Sequence, residues 1–395
     1  MDAHLRELLD LVIRWVHVIA GIMWIGNSLL FNWLDRNLVK LADKDARHEG
    51  EIWLLHSGGF YQVEKKQLPP GQMPAVLHWF KWQNFTTWAS GISLLVVVYY
   101  MGGGALLADP SVTKLHTHAQ IGIGVGSIVG AWAVYDGLFR SPLAKIEWLA
   151  SAIGLGLLFG LAFGLTQVMS GRAAFLHVGV IIGTLMTGNV WMVIVPSQRE
   201  LVAATTEGRE QDKAIGLRAK ARSIHNNYFT FPLLFIMVSN HFPSAYGAKL
   251  PWAVLAVLMF VGAGVRHFMN VRFTTKGWFF PLATLVLFGC VGLYMLTMRP
   301  TQAAPTGPAV TFAEARAIVQ TRCVSCHAQQ PTDDQWRSPP NGIVLDTPAQ
   351  MKLLVGRIRE RAVVSKTMPL GNKTQMTDDE RDKLARWIEQ GAPVD

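Results

Sequence analysis

Near its C-terminus the sequence reads TRCVSCHAQQ (residues 321–330), with two residues between Cys323 and Cys326 and His327 immediately after. Cys-X-X-Cys-His is the attachment signature of covalent haem c: the thiols bond to the porphyrin vinyl groups and the histidine ligates iron. Zinc is the other use of such residues. A closed zinc site takes four Cys or His ligands, and beyond residue 300 only these three occur. A sixth iron ligand is then needed, and a methionine thioether opposite histidine raises the potential. Met351 falls in AQMKLLVGRIRERA, a helical pattern, where packing is its expected job. Met368 falls in KTMPLGNKTQM, where Pro and Gly make a loop able to present sulfur; Met376 is the substitute. The expected axial pair is His327 and Met368. The last stretch, TDDERDKLARWIEQG, reads as a helix with a Thr cap, acids in its first turn and a closing Gly. Leu384, Trp387 and Ile388 form its apolar face.

The rest of the chain has another character. Half of the 395 residues are apolar and 16% are charged, against about a quarter charged in an average soluble domain. The deficit lies in the first 300 residues. A membrane-crossing helix needs roughly 20 mostly apolar residues. Eight stretches qualify, at about 8–32, 82–107, 118–139, 148–169, 173–196, 226–243, 251–269 and 278–298. The first has no small-residue cleavage site and reads as a retained span rather than a signal peptide. After the last comes RPTQAAPTGPAV, a Pro/Ala/Thr-rich linker. The expected fold is therefore all-α: a polytopic bundle of eight transmembrane helices over 1–299, a linker over 300–311, and a small helical cytochrome c-like domain over 312–395.

Lys and Arg in short loops orient the bundle. The odd-numbered loops carry seven, two, six and two of them, and the even-numbered loops one each (Lys114, Arg172, Lys249). Odd loops are expected in the cytoplasm, so both termini, and the Cys-X-X-Cys-His motif, lie outside: in a bacterium, the periplasmic side of the inner membrane. Most of the net charge of +9 lies in the first 300 residues, with the basic groups in loops between apolar spans, which makes the bilayer the expected partner and argues against nucleic acid.

The two halves of the bundle match weakly, in register. HVIAGIMWIGNSLLFNWL from His17 aligns with HVGVIIGTLMTGNVWMVIV from His177, and QNFTTW (83–88) with NNYFTF (226–231). A four-plus-four repeat places sites near the interface of its halves. Polar and ionisable groups inside spans are functional candidates. His17, His116, His118, His177 and His241 fall in the outer half or near the centre; Asn27, Asn84, Asp136, Asn189, His225, Asn227 and His267 fall towards the cytoplasm. His17 and His177, with Trp24 and Asn27, are candidates for a membrane haem b or a substrate site; interhelical hydrogen bonding is the plainer role. In EIWLLHSGGFYQVEKK (51–66) the plain reading is a surface hairpin. The sharper one is a pocket for a flat anion, with Phe60 or Tyr61 stacking and His56 and Lys65 binding charge. Cys290, in an apolar run, is expected to be a buried thiol without chemistry.

The segments IRWVHVIAGIMWIGNSLLFNWLDRNL, EIWLLHSGGFYQV and HWFKWQNFTTWASG, with CVSCH and MPLGN near the end, resemble the bacterial membrane-bound urate hydroxylases, urate oxidases with a fused cytochrome c domain. The resemblance covers the whole chain. It implies oxidation of urate to 5-hydroxyisourate, with electrons leaving through haem c to a soluble cytochrome c or a terminal oxidase. It brings only the haem-binding positions with it. The pattern His17, Trp24, Gly26 also resembles small membrane haem b proteins such as the bacterial protoporphyrinogen oxidase. The alternative activity is a non-catalytic membrane cytochrome that relays electrons from a partner dehydrogenase. A haem–copper oxidase core is excluded, because no adjacent His pair occurs.

Overall fold

The computed structural model describes residues 3–41, 47–101, 104, 106–210, 212–298 and 307–394. Helix α1 (Ala3–Asn37) leads into an antiparallel hairpin of β1 (His48–His56) and β2 (Gly59–Lys66). Helix α2 (Trp82–Leu94) ends in a π-helical turn, Leu95–Tyr100, and is followed by α3 (Thr117–Leu138) and α4 (Glu147–Val168). Helix α5 (Gly171–Asn189) continues through a second π turn, Val190–Ile194, into α6 (Val195–Glu207). Then come α7 (Lys213–Val238), the single turn α8 (Pro243–Tyr246), α9 (Pro251–Val271) and α10 (Phe279–Thr297). The C-terminal segment holds α11 (Phe312–Arg322), α12 (Pro348–Leu353), α13 (Val355–Ile358) and α14 (Asp378–Glu389).

Six of the expected spans are helices long and apolar enough to cross a membrane: α1, α3, α4, the continuous α5–α6 rod, α9 and α10. The other two are helical but shorter or more polar. Helical structure in the expected 82–107 span stops at Tyr100, and Gly104 takes a φ of +83°. For the expected 226–243 span, α7 starts upstream at Lys213, stops at Val238, and buries Asn226, Asn227, Thr230 and an internal Pro232. These groups lower its hydropathy and point to pairing inside the bundle.

Helix α5 is the hub. Its Ala173, Ala174, Phe175, Val178, Ile181 and Ile182 are fully enclosed. By contrast α1 and α10 turn Leu11, Ile22, Phe280 and Phe288 outward, the apolar surface a bilayer covers. Cys290 is exposed on α10, not buried as expected. An apolar run signals contact with hydrocarbon, and in a peripheral helix that hydrocarbon is lipid.

The hairpin is the departure from an all-helical chain, and its plain reading was legible. Val63 pairs with Ile52, Tyr61 with Leu54 and Phe60 with Leu55. Ser57 and Gly58 both take positive φ, +51° and +75°, the backbone a two-residue hairpin turn requires.

Residues 310–394 contain a second apolar cluster, with Val319, Met351, Leu384 and Trp387 at its centre. Its helices α11, α12 and α14 each begin with a capping box: Thr311 with Glu314, Thr347 with Gln350, and Thr377 with Glu380. Each box satisfies two amide N–H groups that a helix N-terminus leaves unpaired. This unit rests on one end of the bundle. Arg6 donates to the Gln335 carbonyl (2.5 Å), Ser338 to Glu7 (3.3 Å), and Arg361 to the Tyr246 hydroxyl (3.5 Å). That end carries the start of α1 and the α7–α9 connection, an even-numbered loop. Most of the expected linker lies outside the described residues.

Candidate functional site

Two places on the molecule hold chemistry. The first is the turn after α11. The amides of Cys326 and His327 both donate to the Cys323 carbonyl (3.2 and 2.9 Å), which curls Cys-X-X-Cys-His into one compact turn. His327 Nδ1–H donates to the Ile343 carbonyl at 3.1 Å. That bond fixes the tautomer and leaves Nε2 as the lone-pair nitrogen, the arrangement a metal-bound histidine needs. Burial lowers the His327 pKa, an effect only partly offset by the Ile343 bond, so the ring is neutral at pH 7. Burial, with neighbouring Cys326, holds the Cys323 thiol up to about 12; burial first and then Asp333 raise Cys326. Both sulfurs are therefore neutral thiols at pH 7 in the folded chain.

The methionines separate by packing. Met351 and Met376 are 1% and 3% exposed and belong to the apolar cluster. Met368 stands outside that cluster, half-buried. Its amide donates to the Arg361 carbonyl (2.9 Å) and its carbonyl accepts from Arg381 (2.8 Å). The backbone is pinned while the thioether remains uncommitted, which suits Met368, rather than Met376, to an axial ligand.

The second place is a cleft of about 540 Å3 between α1, the stretch before α2, and α6. Trp24, Phe31, Trp79 and Phe80 are its aromatic walls; Asn27, Ser28, His78, Gln83 and Gln198 are its polar groups. The Gly71 amide donates to the Thr205 carbonyl and ties the loop before α2 to α6. Phe31 meets Phe80 edge-on with ring centres 5.3 Å apart. Lys81 lies 4.9 Å from the Trp79 ring and 5.9 Å from Trp191, a cation–π anchor. Gln83 Oε1 is buried with no hydrogen-bond partner among the described residues. A buried carbonyl oxygen without a donor costs about 1–3 kcal/mol, so this oxygen calls for an N–H. Aromatic walls and amides together suit a flat heterocycle edged with N–H and C=O groups.

Of the residues expected from sequence, Trp24 and Asn27 meet in this cleft. The cleft's other polar groups, Ser28 on α1, His78 in the loop, Gln83 at the start of α2 and Gln198 on α6, were not singled out from the sequence. His17 and His177 do not come together. His17 Nδ1–H donates to the Thr87 carbonyl (2.9 Å), close to Ser90 Oγ (3.1 Å). His177 is fully buried, donates from Nδ1 to the Ala173 carbonyl (2.8 Å) and accepts at Nε2 from the Tyr100 hydroxyl (2.8 Å). Their contacts on α2 and its π turn, Ser90 and Tyr100, are ten residues apart, about 15 Å along a helix. Each histidine serves its own stretch of α2, so the pair does not sandwich one haem.

On the hairpin, paired residues share a face and successive ones alternate, so Tyr61, Lys65 and His56, which pairs with Gly59, lie on one face and Phe60 on the other, with both rings exposed. Lys65 is bound by Asp35 (2.9 Å) and Glu49 (3.2 Å). His56 sits beside the turn, paired with Gly59.

Sequence reading passed over the tyrosines. A polar layer crosses the half of the bundle away from the terminal unit: Trp191 donates to Asn84 Oδ1 (3.0 Å), and Asn84 to Thr187 (3.1 Å). Two residues further along α5, Asn189 donates to the Tyr135 hydroxyl (2.9 Å) and to Asn226 (2.8 Å). Tyr135 in turn bonds His225 Nδ1 (2.7 Å), and Arg222 pairs with Asp136 (2.9 Å). The signal for these was the set of polar residues inside spans, Asn84, Asp136, Asn189 and His225. Tyrosine itself reads as core.

The urate oxidase N-terminal family matches residues 3–297, so the chain belongs to that family. No curated protein and no solved structure matches it. Membership makes the chain urate-related and, at a coarse level, an oxidoreductase. With its membrane-length helices it is a membrane protein of that class. The matched region contains the cleft and the polar layer and ends before the Cys-X-X-Cys-His unit.

Proposed function

We propose that this protein is a membrane-bound urate hydroxylase. Urate plus water gives 5-hydroxyisourate plus two protons and two electrons, and the electrons leave through a covalent haem c. The observation that carries the reading is the pairing, in one chain, of a urate oxidase family region holding an aromatic, amide-edged cleft with a terminal Cys-X-X-Cys-His turn. The division of labour follows: a urate-oxidising bundle over 1–299 and a cytochrome c domain over 312–395, in the bacterial inner membrane with both termini periplasmic.

In the cleft, Trp24 and the neighbouring rings stack on the purine, a contact worth about 1–3 kcal/mol per base. Gln83 Oε1 accepts a ring N–H, and the Asn27 and Gln198 amides bind carbonyl edges. His78, an exposed cleft residue, is the base that takes a proton as electrons depart; a histidine suits that task near pH 7. Water adds at C5. In the terminal unit, Cys323 and Cys326 would hold the haem covalently, and His327 and Met368 would ligate its iron. When bound, it would supply one-electron transfer to a soluble cytochrome c or a terminal oxidase.

The test follows the oxygen. Purified protein with urate and ferric cytochrome c in water enriched in oxygen-18 is expected to put one labelled oxygen at C5 without forming peroxide. Label drawn from O2, or absence of product, overturns the reading. Absence of product with preserved electron transfer from an added dehydrogenase points to the relay alternative.

A further inference from the structure

The end of the bundle away from the terminal unit carries three arginines that pair with no carboxylate among the described residues. Arg36 lies in the last turn of α1, Arg266 in the last turns of α9, and Arg272 caps α9. Arg36 and Arg272 are exposed; Arg266 is only 4% exposed. The other buried arginine of this end, Arg222, has Asp136 as its counter-charge (2.9 Å). Arg266 has instead the added like charge of Arg36 and Arg272. A buried cation without an anion is costly, and inside a membrane bundle it marks a functional place.

Neutral amides hold Arg266 in position. Its Nε donates to Asn227 Oδ1 on α7 (3.1 Å) and its Nη2 to Asn32 Oδ1 on α1 (3.3 Å), with the guanidinium 5.6 Å from the Phe231 ring. Arg36 donates to the same Asn32 oxygen (3.3 Å) and to the Asn270 carbonyl (2.9 Å). Asn227 Oδ1 also accepts from Asn270 Nδ2 (2.7 Å). The Asn227 atom that takes an arginine N–H is necessarily its oxygen, so Asn270 must turn its NH2 towards it. The Asn270 side-chain oxygen is then left buried with no donor. The cluster therefore lacks two things: a negative charge beside the guanidiniums, and an O–H or N–H beside Asn270 Oδ1.

The depth of the cluster says what meets it. Arg6, at the start of α1, is bound by the terminal unit. Thirty residues of helix separate Arg6 from Arg36, about 45 Å. A bilayer with its headgroup layers is about 40–45 Å thick, so the arginines stand at the headgroup layer opposite the terminal unit. Helix α1 packs on α2, and α9 on α7 and α10; between α1 and α9 the long arginine and asparagine side chains make the connection. Leu30 on α1 and Phe260 on α9 are both exposed. Each is six residues, about 9 Å, nearer the bilayer centre than its helix's arginine, where acyl chains run.

We propose that Arg36, Arg266, Arg272 and Asn270 form a headgroup site for an anionic phospholipid whose head carries a free hydroxyl, phosphatidylglycerol being the simplest such lipid. Its phosphate lies among the three guanidiniums, and a glycerol hydroxyl donates to Asn270 Oδ1. Its acyl chains lie along Leu30 and Phe260. The bound lipid clamps α1, which supplies Trp24 and Asn27 to the cleft, against α7 and α9. The site does not depend on the urate reading.

The test is a lipid competition. The full chain is purified in detergent, exchanged into mixed micelles with equal amounts of phosphatidylglycerol and phosphatidylcholine, and its bound lipids are read by native mass spectrometry. The wild type is expected to retain phosphatidylglycerol in preference. Arg266→Gln should cut the bound ratio roughly fivefold, the contribution of one arginine beside anionic lipid. If that variant fails to fold, Arg36→Gln and Arg272→Gln, on the exposed rim, are read by the same ratio and should lower it. Lys65→Gln removes an exposed charge that already has Asp35 and Glu49 as partners, and should leave the ratio unchanged. A wild-type ratio near one, or an equal loss in Lys65→Gln, overturns the proposal. Phosphatidylmethanol has the same charge and no hydroxyl, and should be retained less than phosphatidylglycerol; equal retention overturns the role given to Asn270. Inorganic phosphate is the last arm. If it raises the thermal midpoint of the lipid-stripped protein as far as phosphatidylglycerol does, and Arg266→Gln abolishes that gain, the site takes free phosphate and the lipid assignment is overturned.

Discussion

The terminal unit and the bundle build their chemistry in opposite ways. In the terminal unit, Cys323, Cys326 and His327 are sequence neighbours, and one turn sets their relative positions. In the bundle, Trp24 and Gln198 of the cleft are 174 residues apart, and three separate segments must pack before the cleft exists. A local site tolerates changes elsewhere but not within itself. A distributed site shares its binding among many groups, so each single loss is partial.

The largest expected effect is at the local site. Replacing both Cys323 and Cys326 with Ala should abolish covalent haem, read as complete loss of haem stain after denaturing electrophoresis. The bundle, with its own core, should still insert and extract as a folded protein. Retained covalent haem would break the account of this unit. In the distributed site, Trp24→Ala should lower kcat/KM for urate by roughly 5–150-fold, the equivalent of losing about 1–3 kcal/mol of stacking. Phe60→Ala, on the hairpin, should leave it within about twofold. If the hairpin variant is the more damaging, the substrate lies at the surface loop and the cleft assignment is wrong.

Packing comes next. Gly124→Ala pushes a methyl into His177 and Tyr100, and overpacking of this kind costs about 1–3 kcal/mol. Its thermal midpoint in detergent should fall by several degrees, while the haem spectrum of the terminal unit stays unchanged. The smallest effect concerns the terminal unit's acid response. Burial pushes the Glu380 carboxyl up, but the Thr377 backbone N–H and the Arg322 guanidinium outweigh it, so the folded pKa lies below the ordinary glutamate value. A depressed pKa contributes stability above the unfolded value that is lost as pH falls through the folded one. Arg322→Gln should therefore unfold more easily than wild type at pH 7, by about 1 kcal/mol or less. That difference should shrink as the pH falls below the carboxylate range, to what the Arg322 bond to the Thr374 carbonyl contributes, as followed by haem absorbance.

The same contrast explains what was legible in the sequence. Cys-X-X-Cys-His and the Thr377-to-Gly391 helix could be read directly, because spacing alone defines a turn and a capped helix. Six spans were legible because hydrocarbon selects for uninterrupted apolar runs. The two weaker ones, Trp82–Tyr100 and the second half of α7, carry the bundle's internal hydrogen bonds and so look less like lipid-facing helices. Asn27 and Trp24 stood out as polar and aromatic groups within a span. His78, Gln83 and Gln198 did not, since nothing in their local sequence indicates which helix they will meet. The tyrosines were hidden for another reason: Tyr100 and Tyr135 match the apolar pattern, and only the structure reveals a histidine opposite each hydroxyl.

The central claim is that one chain both oxidises urate and carries the electrons out. It is tested most directly by mixing the purified, oxidised protein with urate under argon and following haem absorbance in a stopped-flow instrument. The account predicts urate-dependent reduction of haem c with no added partner, two haem equivalents for each urate consumed, and loss of that reduction in Trp24→Ala at low urate. A haem that stays oxidised in the presence of urate until a second protein is added would contradict it.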